Sequence, residues 1–257
     1  NFSEGVPSYK PQTSNDLSNS YFQFKQFTIQ QDRCAMKVTT DACLFGSLLP
    51  TSSKGGGGQT VLDIGTGTGL LALMFAQKNS KVIIDAIEID KEASEQASKN
   101  VAESPWKERV NIIHADARNF SFAKKFDFII SNPPFYENEL KSLTGIKNVA
   151  HHSEELTLQQ LLTIIKKNLT EYGHFFLLLP YKRNEEIMKL FKDHQLHISK
   201  MVFVRQSVKH DYFRIFIKGN LNAEEKETEF DELSIWDEKQ QYTSEFVKLL
   251  KDYYLHL

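Results

Sequence analysis

Residues 61–69 read VLDIGTGTG. Val61-Leu62-Asp63-Ile64 is a short, mostly apolar run, the composition of a buried strand. Gly65, Gly67 and Gly69 follow at alternate positions, and Leu70 to Gln77 is then almost wholly apolar, as a buried helix would be. Strand, glycine turn and helix in direct succession predict an α/β sheet whose ligand sits at the turn, where glycines let the backbone approach it closely. The spacing excludes two common ligands. The nicotinamide fingerprint G-x-G-x-x-G would need its third glycine at Leu70, and a phosphate-binding P-loop would need Gly-Lys-Ser/Thr. An acid just before the glycines, Asp63, repels pyrophosphate and suits the ammonium of an amino-acid moiety.

Outward from this turn, strands and helices alternate. Toward the N-terminus, residues 21–29 alternate apolar and polar, a half-buried strand or hairpin arm, and Thr39, Thr40 and Asp41 precede an apolar helix start. Lys54 to Gly58 is a glycine loop. Toward the C-terminus come strands over 81–89, 110–114 and 126–130, with a helix carrying Ala93, Ala97 and Val101 on one face. Thr157 with Gln160 predicts a capping box for a helix that Gly173 stops. A buried strand over 174–179 ends at Pro180, and a helix surrounds Ile187, Leu190 and Phe191. Strands near 197–204 and 212–218 are close enough to pair antiparallel; 220–228 reads as an acidic loop and 241–255 as a last amphipathic helix. The expected architecture is α/β: seven strands, mostly parallel, the last antiparallel, with helices on both faces.

The 257 residues suit one domain, taken as 21–257, with 21–53 an extension over the ligand site. The polar segment 1–20 lacks periodicity and a signal-peptide pattern, and is expected to be a mobile tail, native or appended. A net charge of −2 gives no global basic field, so any nucleic-acid surface has to be local. No run of about 18 apolar residues, the length of a membrane-crossing helix, is present. Cys34 and Cys43 show no metal-ligand spacing, which predicts reduced thiols in a cytoplasmic protein. His151-His152 has no evident third ligand, so no metal is expected, and a monomer is the simplest state.

Two further acids define the ligand. Glu88 ends the second strand, nineteen residues after Gly69, where a carboxylate can accept from both hydroxyls of a ribose; Ile89 beside it can pack on an adenine face. Asp116, or backbone next to it, lies past the third strand and can bind the adenine amine. A nucleoside with an amino-acid tail is S-adenosylmethionine. The chain resembles class I methyltransferases, and Asn132-Pro133-Pro134-Phe135 resembles the N-P-P-F/Y motif of those that act on amines. The chemistry fits a flat, amine-bearing base. Adenine's exocyclic nitrogen is a poor nucleophile because its lone pair is delocalised. Acceptors at Asn132 and at the Pro133 carbonyl would hold both N–H hydrogens and aim the lone pair, while Phe135 offers a ring face to the base, worth roughly 1–3 kcal/mol. Holding two reactants in line can remove about 7–11 kcal/mol of barrier.

A longer match narrows the family. Residues 22–27 (FQFKQF) and 32–41 (DRCAMKVTTD) closely resemble the start of bacterial tRNA(Val) adenine-N6-methyltransferases. Ile84-Asp85-Ala86-Ile87-Glu88-Ile89-Asp90, Ser104-Pro105-Trp106 and Gln241-Tyr242-Thr243-Ser244-Glu245 continue the likeness. That family modifies the adenine immediately 3′ of the anticodon, and the resemblance implies a tRNA partner. It also implies that the stretch Lys37-Val38-Thr39-Thr40-Asp41 lies over the cofactor. Lys37 and a helix N-terminus near Thr40 can then hold the methionine carboxylate. Phe135 stands where many members carry Tyr. For RNA, the aromatic-basic stretch Arg205…Lys209…Arg214 is the best local candidate, with Lys141, Lys147 and other basic residues after the motif behind it. Three alternatives stand beside this reading. Release-factor glutamine methyltransferases share the motif but usually carry a helical N-terminal domain, and guanine-amine rRNA methyltransferases usually carry a duplicated one. A non-catalytic cofactor-binding RNA module would not need the intact Asn132-Pro133-Pro134-Phe135.

Overall fold

The computed structural model describes residues 20–34, 36–51, 58–134, 156–222 and 227–257. Phe135, Lys141, Lys147, His151-His152, most of the glycine loop and the segment before Ser20 lie outside the described residues.

The N-terminal alternation is a small hairpin, β1 (Tyr21–Gln23) against β2 (Thr28–Gln30). The chain then builds α1 (Thr40–Leu48), β3 (Thr60–Ile64), α2 (Leu70–Lys78), β4 (Ile83–Glu88), α3 (Lys91–Ala102), β5 (Val110–His114) and β6 (Phe126–Ser131). Further along the chain come α4 (Leu158–Asn168), β7 (Leu169–Pro180), α5 (Asn184–Asp193), β8 (His197–Ser207), β9 (Tyr212–Asn220), β10 (Glu229–Trp236) and α6 (Ser244–Leu250). The main sheet has the order β10-β8-β9-β7-β6-β3-β4-β5. Every pairing is parallel except those of β9, which runs against both β7 and β8.

The apolar runs become central strands because both faces are covered, and side chains alternate between them. Val61, Phe176, Val202 and Phe216 join the core beneath α1, α2 and α6. Leu62, Ile64, Leu177, Met201 and Ile217 join the core beneath α4 and α5. By the same alternation Asp63 faces the α2 side. Helix ends are closed by long cations: Lys78 Nζ donates to the carbonyls of Ser47 and Leu49 at 2.6 Å each, and Arg109 donates to Ala76 and Asn79 at the end of α2.

The structure adds to the expected frame at three points. The sheet has eight strands rather than seven, because Glu229–Trp236 pairs in parallel with β8. Three acids in EFDELSIW hide its strand character, and charge is what a sheet edge carries to block further pairing. The antiparallel strand is therefore followed by one more strand in the chain. Helix α4 begins with the expected Thr157–Gln160 capping box but ends at Asn168, and Gly173 lies inside β7, where a Cβ would stand 2.8 Å from Leu169 and Thr170. The final helix is shorter than 241–255.

Candidate active site

The carboxyl ends of β3, β4, β5 and β6 surround a cavity of about 500 Å³, within the size range of small-molecule sites. Its floor is the glycine turn. Gly65, Gly67 and Gly69 adopt φ of +69°, +56° and +83°, which other residues rarely tolerate. Gly65 and Thr66 both donate their N–H to the Ile87 carbonyl, tying the turn to β4. A Cβ on Gly65 or Gly67 would meet nothing within 4 Å, so both present bare backbone to open space.

Glu88 is 9% exposed and lines the cavity. Its Oε2 accepts from Gly67 N at 2.9 Å and its Oε1 from Asp90 N at 3.0 Å. The carboxylate is thus fixed in orientation, and each oxygen retains acceptor capacity. Ile89, 49% exposed, stands beside it, and Asp90 caps α3 through Ala93 N.

Asp63 is fully buried and is not part of the cavity wall. Its Oδ2 accepts from the Thr66 hydroxyl at 2.6 Å and its carboxylate faces the Ala72 N–H in the first turn of α2. Gly69, the N-cap of that helix, has no side chain to offer. Asp63 therefore holds the turn and the helix start together from beneath, with Oδ1 left without a partner. Burial pushes its pKa up to about 7.

Asp116 lines the cavity, but Arg118 occupies it. The guanidinium Nε donates to both carboxylate oxygens at 2.9 Å, Arg118 N donates to Oδ1, and Asn119 Nδ2 donates to Oδ2. The Arg118 hydrogen bonds hold its carboxyl below the usual range. The neighbouring backbone at Ala115 and Ala117 lies in the same wall. Arg118 carried no signal in the sequence, since its role depends on the loop folding back over two residues.

At the end of β6 the Ser131 hydroxyl, fully buried, donates to the Ile64 carbonyl at 2.7 Å and locks β6 to β3. Asn132, half-buried, Pro133, buried, and Pro134, exposed, then enter the wall across from Glu88's strand.

The N-terminal segment adds Cys34 and Met36 to Thr39 to the wall. Thr39, not Thr40, is the N-cap of α1 and lies in the wall, its hydroxyl accepting from Ala42 N. Thr40 is one residue further round the helix, outside the wall, and contacts the Tyr254 hydroxyl. Lys37 is exposed at the rim. Two amides on α3 hold this segment down. Asn100, 1% exposed, accepts from Gln30 N and donates to the carbonyls of Gln30 and Thr68 at 2.9–3.0 Å. Gln96 accepts from Arg33 N, and buried Gln31 accepts from Val38 N.

Arg205, Lys209 and Arg214 gather around the β8–β9 turn, at the same end of the sheet as the cavity. Arg205 bonds Ser234 and pairs with Glu232, and Arg214 donates to Asp41 at 2.8 Å. Both free cysteines are thiols, Cys43 buried and Cys34 half-buried. Among the described residues no group of three His, Cys, Asp or Glu could hold a metal, and no helix is long and apolar enough to cross a membrane.

The cavity fits S-adenosylmethionine: bare glycine backbone, a fixed carboxylate at the neighbouring strand end, apolar Ile89 and Ala117, and a helix N-terminus with Lys37. The fold and this site define a class I S-adenosylmethionine-dependent methyltransferase. Residues 37–196 match the family described as methyltransferase small domain. Over 245 residues the chain is 37% identical to the tRNA1(Val) (adenine(37)-N6)-methyltransferase of Christiangramia forsetii, covering 94% of this chain and 100% of that one. The enzyme of the same name from Yersinia enterocolitica is 37% identical over 243 residues, covering 93% and 94%. The chain belongs to the tRNA1(Val) (adenine(37)-N6)-methyltransferase family. Among solved structures, a protein described as a predicted O-methyltransferase from Agrobacterium tumefaciens superposes with a TM-score of 0.62 at 15% identity, covering 82% of this chain and 95% of that one. A type I restriction-modification methyltransferase subunit from Streptococcus thermophilus gives 0.57 at 16%, covering 84% and 52%. These two share the fold.

Proposed function

We propose that this chain methylates the N6 amine of adenine 37 in valine tRNA. The observation that carries the reading is the placement of Asn132-Pro133-Pro134 at the end of β6, in the wall of the cavity that Glu88 and the glycine turn also line. The cofactor, when bound, supplies an electrophilic methyl group on a sulfonium. Glu88 would accept from the ribose hydroxyls, an orientation its two backbone donors already fix. Lys37 and the α1 N-terminus at Thr39 hold the carboxylate. Ile89 would offer its apolar face to the purine and the backbone beside Asp116 would meet the purine edge, because Arg118 already fills the Asp116 carboxylate. Asp63 acts from below by fixing the turn. On the substrate side, Asn132 Oδ1 and the Pro133 carbonyl accept the two amine hydrogens, and Phe135 stacks on the base, which has left its own stack to enter. With its hydrogens held in this way the amine would present its lone pair to the methyl group, and its proton could leave to water, so no strong base is required of this chain.

The domain is read as residues 21–257, with 21–53 as a cover over the cofactor. The two free thiols favour a reducing cytoplasm, and the protein is taken to act there as a monomer without a structural metal. Mass spectrometry of tRNA nucleosides after incubation with labelled cofactor tests the activity. Labelled N6-methyladenosine is expected; label on a protein glutamine or on guanine would refute it.

A further inference from the structure

Beyond the cavity, the sheet continues into a face of rings that the core covers only in part. Tyr181 follows β7, Phe203 lies on β8, Tyr212 opens β9 and Phe230 lies on β10. Their centroids are spaced 5.3 Å from Tyr181 to Tyr212, 5.4 Å from Tyr212 to Phe203 and 6.2 Å from Phe203 to Phe230, the last pair lying parallel within 1°. Phe230 is 67% exposed, and the other three are half-exposed at the rim of the α4–α5 core. Arg205 lies over the Tyr212 ring at 5.5 Å. Glu232 faces the same way, but the Arg205 guanidinium at 3.4 Å and the Tyr212 hydroxyl hold it, so its charge is compensated. Lys182 and Lys209 stand exposed beside the patch.

The register places this face relative to the chemistry. Ser131 pairs with Leu177, Leu179 with Ile215, and Ile215 with Phe203. Phe203 therefore lies two residues, about 7 Å, beyond the level of Ser131, and three strand spacings, about 14 Å, to the side. That is a reach of a few unstacked nucleotides from Asn132.

We propose that Tyr181, Phe203, Tyr212 and Phe230, with Arg205, form a stacking platform for unpaired bases of the RNA loop that carries the target adenine. Tyr181 and Phe203 also touch, at 5.9 Å, so the rings form a cluster with a guanidinium over one of them. Such a cluster suits single-stranded nucleic acid, because every base has a π-face and phosphates need only nearby cations. A duplex buries its base faces and gains nothing from it. The inference rests on the adenine-N6 reading for the identity of the RNA.

The test is fluorescence anisotropy of the full chain with a labelled anticodon stem-loop of valine tRNA. Phe230→Ala and Tyr212→Ala should each weaken binding by about 5- to 150-fold, the range for one lost base–ring stack. Phe230→Trp should bind like the parent and Phe230→Leu should not, since only the former keeps a ring. The slope of log Kd against log salt should stay unchanged in the Phe230 variants, because no phosphate contact is lost. Affinity for S-adenosylhomocysteine should not move. Unchanged stem-loop affinity in both alanine variants would overturn the platform and leave the face to a protein partner. A parent enzyme that binds the stem-loop through these rings yet makes no N6-methyladenosine would instead overturn the activity and leave the platform standing.

Discussion

Glu88 and Asp116 stand at the ends of neighbouring strands, yet their surroundings give them different capacities. Glu88 takes one backbone donor on each oxygen and keeps lone pairs for a ligand; Asp116 is saturated by Arg118 and Asn119. The glycine turn and Glu88 were legible because φ above zero and a strand-end acid are written locally. The Arg118 clasp was not, since an i,i+2 ion pair depends on loop geometry. Asp63 was half-legible: the alternation along β3 already turns it toward α2 rather than toward a ligand. Three outcomes follow at this scale. Glu88→Ala should weaken cofactor binding by calorimetry while the chain stays folded, with a lowered melting temperature because the Gly67 and Asp90 N–H groups lose their acceptor, about 1–3 kcal/mol each. Asn132→Ala should lower single-turnover methylation roughly 10²–10³-fold, the size expected for one contact made to the reacting group, with RNA and cofactor affinities nearly intact. Near-full turnover would rule out its role. For Asp63, the folded pKa of about 7 lies above the ordinary 3.8, so the native state keeps a proton that the unfolded chain releases. Its contribution is full below about pH 4 and is lost as pH rises toward 7, by roughly 4 kcal/mol as an order of magnitude. Asp63→Asn should remove that slope; urea titrations at pH 5 and pH 8 that fall equally for variant and parent would contradict it.

Elements with local signals, such as the Thr157–Gln160 box and the apolar strands, matched their sequence reading. Those defined by tertiary pairing did not. Strand β10 forms because β8 offers an open edge, and β7 starts early because Leu169 pairs with Phe126. The N-terminal cover is also a tertiary matter: no pattern in residues 20–34 announces that α3 will hold them. Asn100 is the main tie, since one carboxamide serves both backbone polar groups of Gln30 and the carbonyl of Thr68 in the glycine turn. Removing it leaves buried groups unpaired at about 1–3 kcal/mol each. Asn100→Ala should therefore raise hydrogen exchange in residues 20–34 and weaken cofactor binding together, while β3, β6 and β7 keep their protection. Loosening confined to the hairpin, with cofactor affinity unchanged, would separate the cover from the site.

Across the whole molecule, a net charge of −2 means that RNA attraction has to come from local cations, and Arg205, Lys209 and Arg214 stand at the cavity end of the sheet, Arg205 on the α4–α5 face and Arg214 on the α1 face. The sequence showed these three as a cluster but not that they differ. Lys209 is exposed at the β8–β9 turn. Arg205 is shared with Glu232 and Ser234. Arg214 holds Asp41 in the first turn of α1, two residues from Thr39 in the cavity wall. Each true phosphate contact lowers the salt slope by about one when removed. Lys209→Ala and Arg205→Ala should each flatten the slope of tRNA binding by about that amount and leave cofactor affinity alone. Arg214→Ala should do more, because freeing Asp41 loosens the helix end that the methionine carboxylate needs; tRNA and S-adenosylhomocysteine should both bind more weakly. Arg214→Lys keeps the charge but loses the planar donor set, so it should restore the salt slope better than the cofactor affinity. Parallel titrations of tRNA and S-adenosylhomocysteine on the four variants decide the matter. If Arg214→Ala changes only the RNA arm, the ion pair to Asp41 does not couple the RNA surface to the cofactor site.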